Sequence, residues 1–313
     1  MLFSVACYHG ESLGGRARTA RSKQLIETRM TKRQNDLDRI VKALESGGKI
    51  YRSRSMGSVR VDSKRGGDPV TDVEREVNQL LFEILVQDGE GWLSEESADN
   101  EERLKCSRVW LVDPLDGTKE YVKGIPEWCI SIALMEDGVL VCGGIYNPQT
   151  DEMFYGSQET GVICKISSSI STTDHEKRLG DILVLASRSE VARGEWKRFQ
   201  NRDFRLQPMG SVAYKLALVA AEKADATWTL VPKNEWDVAA GVALLLAAGG
   251  HVRTSDGFPP SFNNRNTLLP GLVGLSATGI ERLRPFLEHT LTSAEFQDCV
   301  PWTQSLASLP SES

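Results

Sequence analysis

Residues 113–118 read Asp-Pro-Leu-Asp-Gly-Thr, directly after the apolar run Val109-Trp110-Leu111-Val112. This places two carboxylates and a backbone carbonyl at the tip of a strand. Pro114 fixes its own φ and keeps Asp113 extended, so the strand is expected to break there with both acids held near one point. Gly117 permits a tight turn, and Thr118 can cap a helical turn while its hydroxyl stays available for chemistry. Such a cluster of oxygens suits a hard cation and a phosphate. It favours Mg²⁺ or Mn²⁺ over zinc, because Cys106 is the only His or Cys within ten residues of Asp113. Taken alone, the motif also fits a plain Asp-rich turn.

Three further segments carry acids of the same kind. Leu93-Ser94-Glu95-Glu96-Ser97 ends a strand with adjacent carboxylates that point in opposite directions, so one is a ligand candidate and the other is not. Asp237, in Asn234-Glu235-Trp236-Asp237-Val238-Ala239-Ala240-Gly241, falls in the first turn of a helix rich in small residues. Capping explains an acid there, and so does presentation to a metal. Asp72 and Glu74 open another helix, where they either cap it or orient water. Phosphatases with an aspartate nucleophile end a strand with Asp-x-Asp-Gly-Thr. Here Pro114 stands two residues before Asp116, so attack by a metal-activated water is expected instead of an aspartyl-phosphate.

The elements that must position these residues fall into two groups. Helical spacing at Leu37, Ile40, Val41 and Leu44, and again from Val73 to Leu85, predicts two amphipathic helices with a short strand, Val59 to Val61, between them. Strands are then expected at 92–94, 109–112, 128–135, 139–146, 153–155 and 162–165, as a meander. Ser- and Thr-rich residues 166–180 mark a boundary. Beyond it the order alternates: strand 182–186, helix 190–199, helix 211–221, strand 226–230, helix 236–248, strands 252–254 and 272–275, and helix 280–291.

The chain of 313 residues is 40% apolar with a net charge of -6, enough for two domains and weak grounds for a nucleic-acid polymer as partner. Six cysteines form no C-x-x-C pair and several sit in apolar runs, which favours reduced thiols and the cytoplasm. No segment has the length to span a membrane. Residues 1–33 carry seven Lys or Arg against two acids without apolar periodicity, and are expected to be a disordered basic tail. His175, His251 and His289 are scattered and read as structural or surface groups.

In combination, the acid pair, D-P-L-D-G-T and W-D-x-A-A resemble the inositol monophosphatase superfamily of Mg²⁺-dependent, lithium-sensitive phosphatases. Lys119-Glu120-Tyr121, Gly144 to Pro148, Ser187-Arg188-Ser189, Gly210-Ser211 and Ala220 to Asp225 are similar to it as well. The resemblance implies an α/β protein built as a layered αβαβα sandwich. An α+β half, residues 34–180, would carry most ligands, and an α/β half, residues 181–313, would supply Asp237 and substrate contacts. It implies a first metal on Glu95, Asp113 and the Leu115 carbonyl, a second on Asp113, Asp116 and Asp237, and a weaker third sharing Glu95 through water. It further implies a water oriented by Thr118 with Glu74 or Asp72, phosphate on the amides of Gly117 and Thr118, and a possible homodimer. Where the family carries Asp three residues after the Thr of its Val-Thr motif, this chain has Glu74, so the choice between Glu74 and Asp72 stays open.

Two details bear on substrate. The inositol branch has an acid seven residues before the Asp of its Trp-Asp motif, and here that position is Leu230. The stretches 116–121 and 233–237 are similar to the 3'(2'),5'-bisphosphate nucleotidase branch, which implies adenosine 3',5'-bisphosphate as substrate. Its second phosphate would then meet Lys119, Lys215 and Lys233, with Ser187, Gly210 and Ser211 as further substrate contacts. The alternatives are an inositol or other sugar phosphatase, and a non-catalytic member that binds a small phosphorylated ligand.

Overall fold

The computed structural model describes residues 13–54, 61–63, 69–99, 101–166, 182–199 and 204–283. From the N-terminus the elements are α1 (Leu13–Ser53), the hairpin β1 (Val61–Ser63) and β2 (Pro69–Thr71), α2 (Asp72–Leu85), β3 (Gly91–Ser94), β4 (Arg108–Asp116) and α3 (Thr118–Val122). The strands β5 (Cys129–Glu136), β6 (Val139–Asn147), β7 (Glu152–Ser157) and β8 (Gly161–Ile166) follow. The second half holds β9 (Leu183–Ser187), α4 (Arg188–Ala192), β10 (Arg205–Met209), α5 (Val212–Ala220), β11 (Ala226–Trp228) and β12 (Lys233–Asn234). It continues with α6 (Glu235–Ala247), β13 (His251–Thr254), β14 (Leu268–Leu269) and β15 (Leu272–Leu275).

Five layers result. Val73, Val77, Leu81 and Leu85 recur every four residues along α2, and with Leu37, Ile40 and Leu44 of α1 they pack on one face of the sheet β3-β4-β5-β6-β7-β8. Trp110 and Val112 of β4 point to that face, while Val109 and Leu111 point to the other, where α5 and α6 lie. A strand covered on both faces reads as a continuous apolar run, which is how 109–112 appears in the sequence. Helices α5 and α6 in turn cover one face of the second sheet, β10-β9-β11-β15-β13, and Trp196, Phe199 and Leu283 cover its far side. The layered αβαβα sandwich is therefore present. Gly241 allows the two middle helices to touch: a Cβ there would lie 2.4 Å from Leu216 Cβ.

In the first sheet β3 runs parallel to β4 and the remaining pairs are antiparallel. The second sheet is mixed, with β10, β9 and β11 parallel and β15 antiparallel to both β11 and β13.

Several elements differ from expectation. Residues 13–33 continue α1 instead of standing apart as a tail; they are rich in strong helix formers. Arg33 is buried against Asp36 at 2.9 Å. Residues 1–12 lie outside the described residues, as do 167–181, which hold most of the expected boundary, and 284–291 of the last expected helix. The described part of that helix is helical from 277 to 283. The helix expected over 190–199 is two pieces, α4 and a 3₁₀ turn at Lys197–Phe199, because Gly194 takes φ +80° between them. Strand β10 was not expected: Pro208 disguises it, and is tolerated because β10 lies at the sheet edge.

Candidate active site

The spacing of Asp113 and Asp116 depends on a defect in the ladder. Asp113 pairs with Ser131 and Asp116 with Cys129, so three steps on β4 match two on β5. In a regular strand the two acids would face opposite sides. The β-bulge at Pro114-Leu115 brings both to the same cavity, and a bulge is where a central strand can accept proline. The strand is thus bulged at Pro114 where a break was expected. Tyr51 of α1 donates to the Pro114 carbonyl at 2.8 Å, and Leu115 N–H donates to Asp113 Oδ1 at 2.8 Å.

Glu95 at the end of β3, Asp113 on β4 and Asp237 in the first turn of α6 each offer an oxygen within 4.8 Å of the other two. Asp113 is buried. Burial, and then the charges of Glu95, Asp116 and Asp237, push its carboxyl well above the usual range. Burial, followed by the charges of Asp116 and Glu95, pushes Asp237 up to about 8, with Lys233 opposing. Asp237 Oδ2 also accepts from Asn234 N–H at 2.9 Å, so it caps α6 and faces the cluster at once. A set of carboxylate oxygens that cannot all ionise together is fitted to a hard divalent cation. Asp116 stands beside this triad, its Oδ2 accepting from Ser211 Oγ and Ala213 N–H, each at 2.6 Å.

Thr118 is the first residue of α3, and Gly117, at φ +101°, occupies the cap position expected for it. The Thr118 hydroxyl lies 2.9 Å from Glu74 Oε1 and 3.2 Å from the Leu115 carbonyl. Glu74 is buried on the inward face of α2. Asp72 is exposed and pairs with Arg75 at 3.2 Å, so it is not brought to Thr118.

Glu95, Asp113, Asp116, Thr118 and Asp237 line one cavity of about 220 Å³. Of the expected substrate contacts, Lys119 stands exposed at its edge, Lys233 is half-buried in its wall, and Ser187 lies 3.2 Å from Ser189 through their hydroxyls. Gly210 N–H donates to Glu127 Oε2 at 2.7 Å. Ser211 adopts φ +50° at the α5 cap, where its Oγ accepts from Tyr214 N–H at 3.0 Å. Lys215 is buried, and its ammonium donates to the carbonyls of Met209, Gly210 and Ser211 at 3.4, 3.3 and 3.0 Å. An ammonium has three protons, so Lys215 secures the 209–211 turn and has no donor left for a phosphate. Burial lowers it to about 8, against the pull of Asp116.

Sequence reasoning gave no site role to Arg188, Glu120 or Thr229, which also line the cavity. Arg188 donates to Glu127 Oε2 and lies 3.9 Å from Glu120. Its neighbours Ser187 and Ser189 were visible only as a family-like segment, and Glu127 lies in a stretch without any motif.

Comparisons with known proteins place this geometry. The family model described as the inositol monophosphatase family matches residues 33–286. An inositol-1-monophosphatase of Mesorhizobium japonicum is 32% identical over 240 residues, covering 73% of this chain and 88% of that protein. The 3'(2'),5'-bisphosphate nucleotidase CysQ of Escherichia coli is 31% identical over 245 residues, covering 75% and 97%. The crystal structure of CysQ from Bacteroides thetaiotaomicron, a bacterial member of the family, superposes with a TM-score of 0.64 at 26% identity, over 78% of this chain and 98% of that one. With the carboxylate cluster, the five layers and a match across most of its length, the chain belongs to the inositol monophosphatase family and is a phosphoric monoester hydrolase.

Proposed function

We propose that this chain is a Mg²⁺-dependent phosphatase that removes one phosphate from a small bisphosphorylated nucleotide, adenosine 3',5'-bisphosphate being the substrate to test first. The observation that carries the reading is the mixed charge of the cavity lining. Carboxylates Glu95, Asp113, Asp116 and Asp237 and the basic groups Lys119, Arg188 and Lys233 line the same cavity. One phosphate would meet the carboxylates through cations, and a second would find Lys119, Lys233 and Arg188 in the same lining, where Arg188 is already paired with Glu127. Leu230 stands where the inositol branch has an acid, so a polyol lacks a hydroxyl acceptor there.

The residues divide the work. Glu95, Asp113, the Leu115 carbonyl, Asp116 and Asp237 would hold two or three Mg²⁺ ions, and Mn²⁺ suits the same oxygens. Bound divalent cations supply charge neutralisation on the phosphate and make hydroxide accessible at neutral pH. Thr118, with its proton directed at Glu74, orients the attacking water, and Glu74 accepts the proton that water loses. The amides of Gly117 and Thr118 meet the phosphate oxygens. The Lys215 clamp keeps Ser211 and Gly210 against Asp116 and Glu127. No described helix is long and apolar enough to cross a membrane, and the described cysteines 106, 129, 142 and 164 are free thiols, which supports a cytoplasmic setting. A homodimer is the assembly proposed.

The second reading is an inositol phosphatase, favoured by the relative from Mesorhizobium japonicum. The deciding experiment measures phosphate release from adenosine 3',5'-bisphosphate and inositol 1-phosphate side by side, with Mg²⁺, with added lithium, and with Asp113→Asn. Nucleotide preference lost in the variant supports the first reading and inositol preference the second. Absence of metal-dependent release from either substrate overturns both.

A further inference from the structure

We propose that Asn78 is a positioning residue for Glu95, acting through the loop that follows β3; the proposal rests on Glu95 being a metal ligand. The β3–β4 ladder ends at Ser94 opposite Val112, and Glu95 itself is tied to the sheet by its N–H, which donates to the Val112 carbonyl at 3.3 Å. Past that point the loop is held by side chains. Ser94 Oγ donates to Asn78 Oδ1 at 2.7 Å, and Asn78 Nδ2 donates to Ser97 Oγ at 3.0 Å. The Trp92 indole N–H donates to the same Ser97 oxygen at 3.1 Å, and Ser97 N–H donates back to the Ser94 carbonyl at 3.4 Å.

One amide therefore bridges the residues on either side of Glu95 and Glu96, with its acceptor on one flank and its donor on the other. Asn78 also lies four residues after Glu74 in α2, so both stand on one face of a rigid helix, a turn apart. That helix meets Thr118 through Glu74 and the Glu95 loop through Asn78. It thereby sets the water-orienting pair and Glu95 at a fixed separation. No other role in the mechanism accounts for an amide at this point of α2.

The test is calorimetric titration of the metal-free full-length protein with Mn²⁺, alongside kinetics at varied Mg²⁺. Asn78→Ala is expected to weaken Mn²⁺ binding by about 10- to 100-fold, the range found when a group orienting a ligand is removed. It should raise the Mg²⁺ concentration needed for half activity and leave kcat at saturating Mg²⁺ close to that of the wild type. Trp92→Phe, which keeps an aromatic ring and removes one donor to Ser97, should weaken binding by about fivefold. It decides the matter if Asn78→Ala does not fold. Unchanged Mn²⁺ affinity in a folded variant, or lower kcat with unchanged affinity, overturns the positioning role. A wild-type protein that binds no Mn²⁺ overturns the metal reading and this proposal with it.

Discussion

Thr118 and Glu74 face each other between the tip of β4 and α2, the threonine hydroxyl donating to Glu74 Oε1 at 2.9 Å. Glu74 is buried while Asp72 is exposed, so we propose Glu74, on the inward face of the helix, as the water-orienting acid. Glu74→Gln should lower kcat by about 10²- to 10⁴-fold with little change in KM. Asp72→Asn should leave both near wild type. Steady-state phosphate release distinguishes them, and a larger loss from Asp72→Asn would reverse the assignment.

The crowded carboxylates make the metal-free protein sensitive to pH. Asp237 keeps its proton to about pH 8 when folded, against an ordinary 3.8, so the folded chain binds more protons in that interval and stability falls as pH rises through it. His251, lowered to about 4, works in the opposite sense only below its ordinary 6.5, and Lys215, lowered to about 8, only above that pH. Between 6.5 and 8 the melting temperature of chelator-treated protein should therefore fall. Mg²⁺ should raise it more at pH 8 than at 6.5, which thermal melts with and without chelator would show.

Lys215 and Lys233 line the same cavity but should fail differently. Lys215→Met removes the ammonium that donates to three carbonyls, of which Ser211's keeps the Lys215 backbone N–H, and should cost about 1–3 kcal/mol in urea unfolding. Lys233→Ala should leave stability intact and raise KM for the bisphosphate relative to a monophosphate. If Lys215→Met changes KM alone, its ammonium contacts substrate.

Gly117 and Gly124 both have positive φ, +101° and +71°. A Cβ on Gly117 would sit 2.9 Å from the Glu127 carbonyl and 3.0 Å from Trp128 Cβ, whereas none of the surrounding atoms lies within 4 Å at Gly124. Gly124→Ala should cost only backbone strain, about 1–2 kcal/mol. Gly117→Ala should cost more and abolish activity by moving Thr118. Equal losses of stability in the two variants would show that the steric contact at Gly117 is relieved.

Much of the site was legible because its chemistry is local. D-P-L-D-G-T carries its acids, turn and hydroxyl within six residues, and Asp237 announces a helix start. What was hidden depends on partners far along the chain. Nothing near Lys215 says that its ammonium turns back onto three carbonyls, and only the direction of α2 separates Glu74 from Asp72. Pairing hides in the same way: the bulge between Asp113 and Asp116 exists only relative to β5, and β10 only as the edge partner of β9. The continuation of α1 through residues 13–33 was missed because helix propensity without an apolar stripe leaves no periodic signal.

The three carboxylates that meet within 4.8 Å come from the end of β3, the middle of β4 and the start of α6. During synthesis the first two emerge long before the third, so the nascent chain passes through a stage in which its first sheet can form while no hydrolytic centre exists. On the proposed role of Asp237, competence arrives only when α6 settles onto that sheet. Catalysis therefore doubles as a report on completed assembly, and a chain cut short before α6 should be inert however well its first half folds.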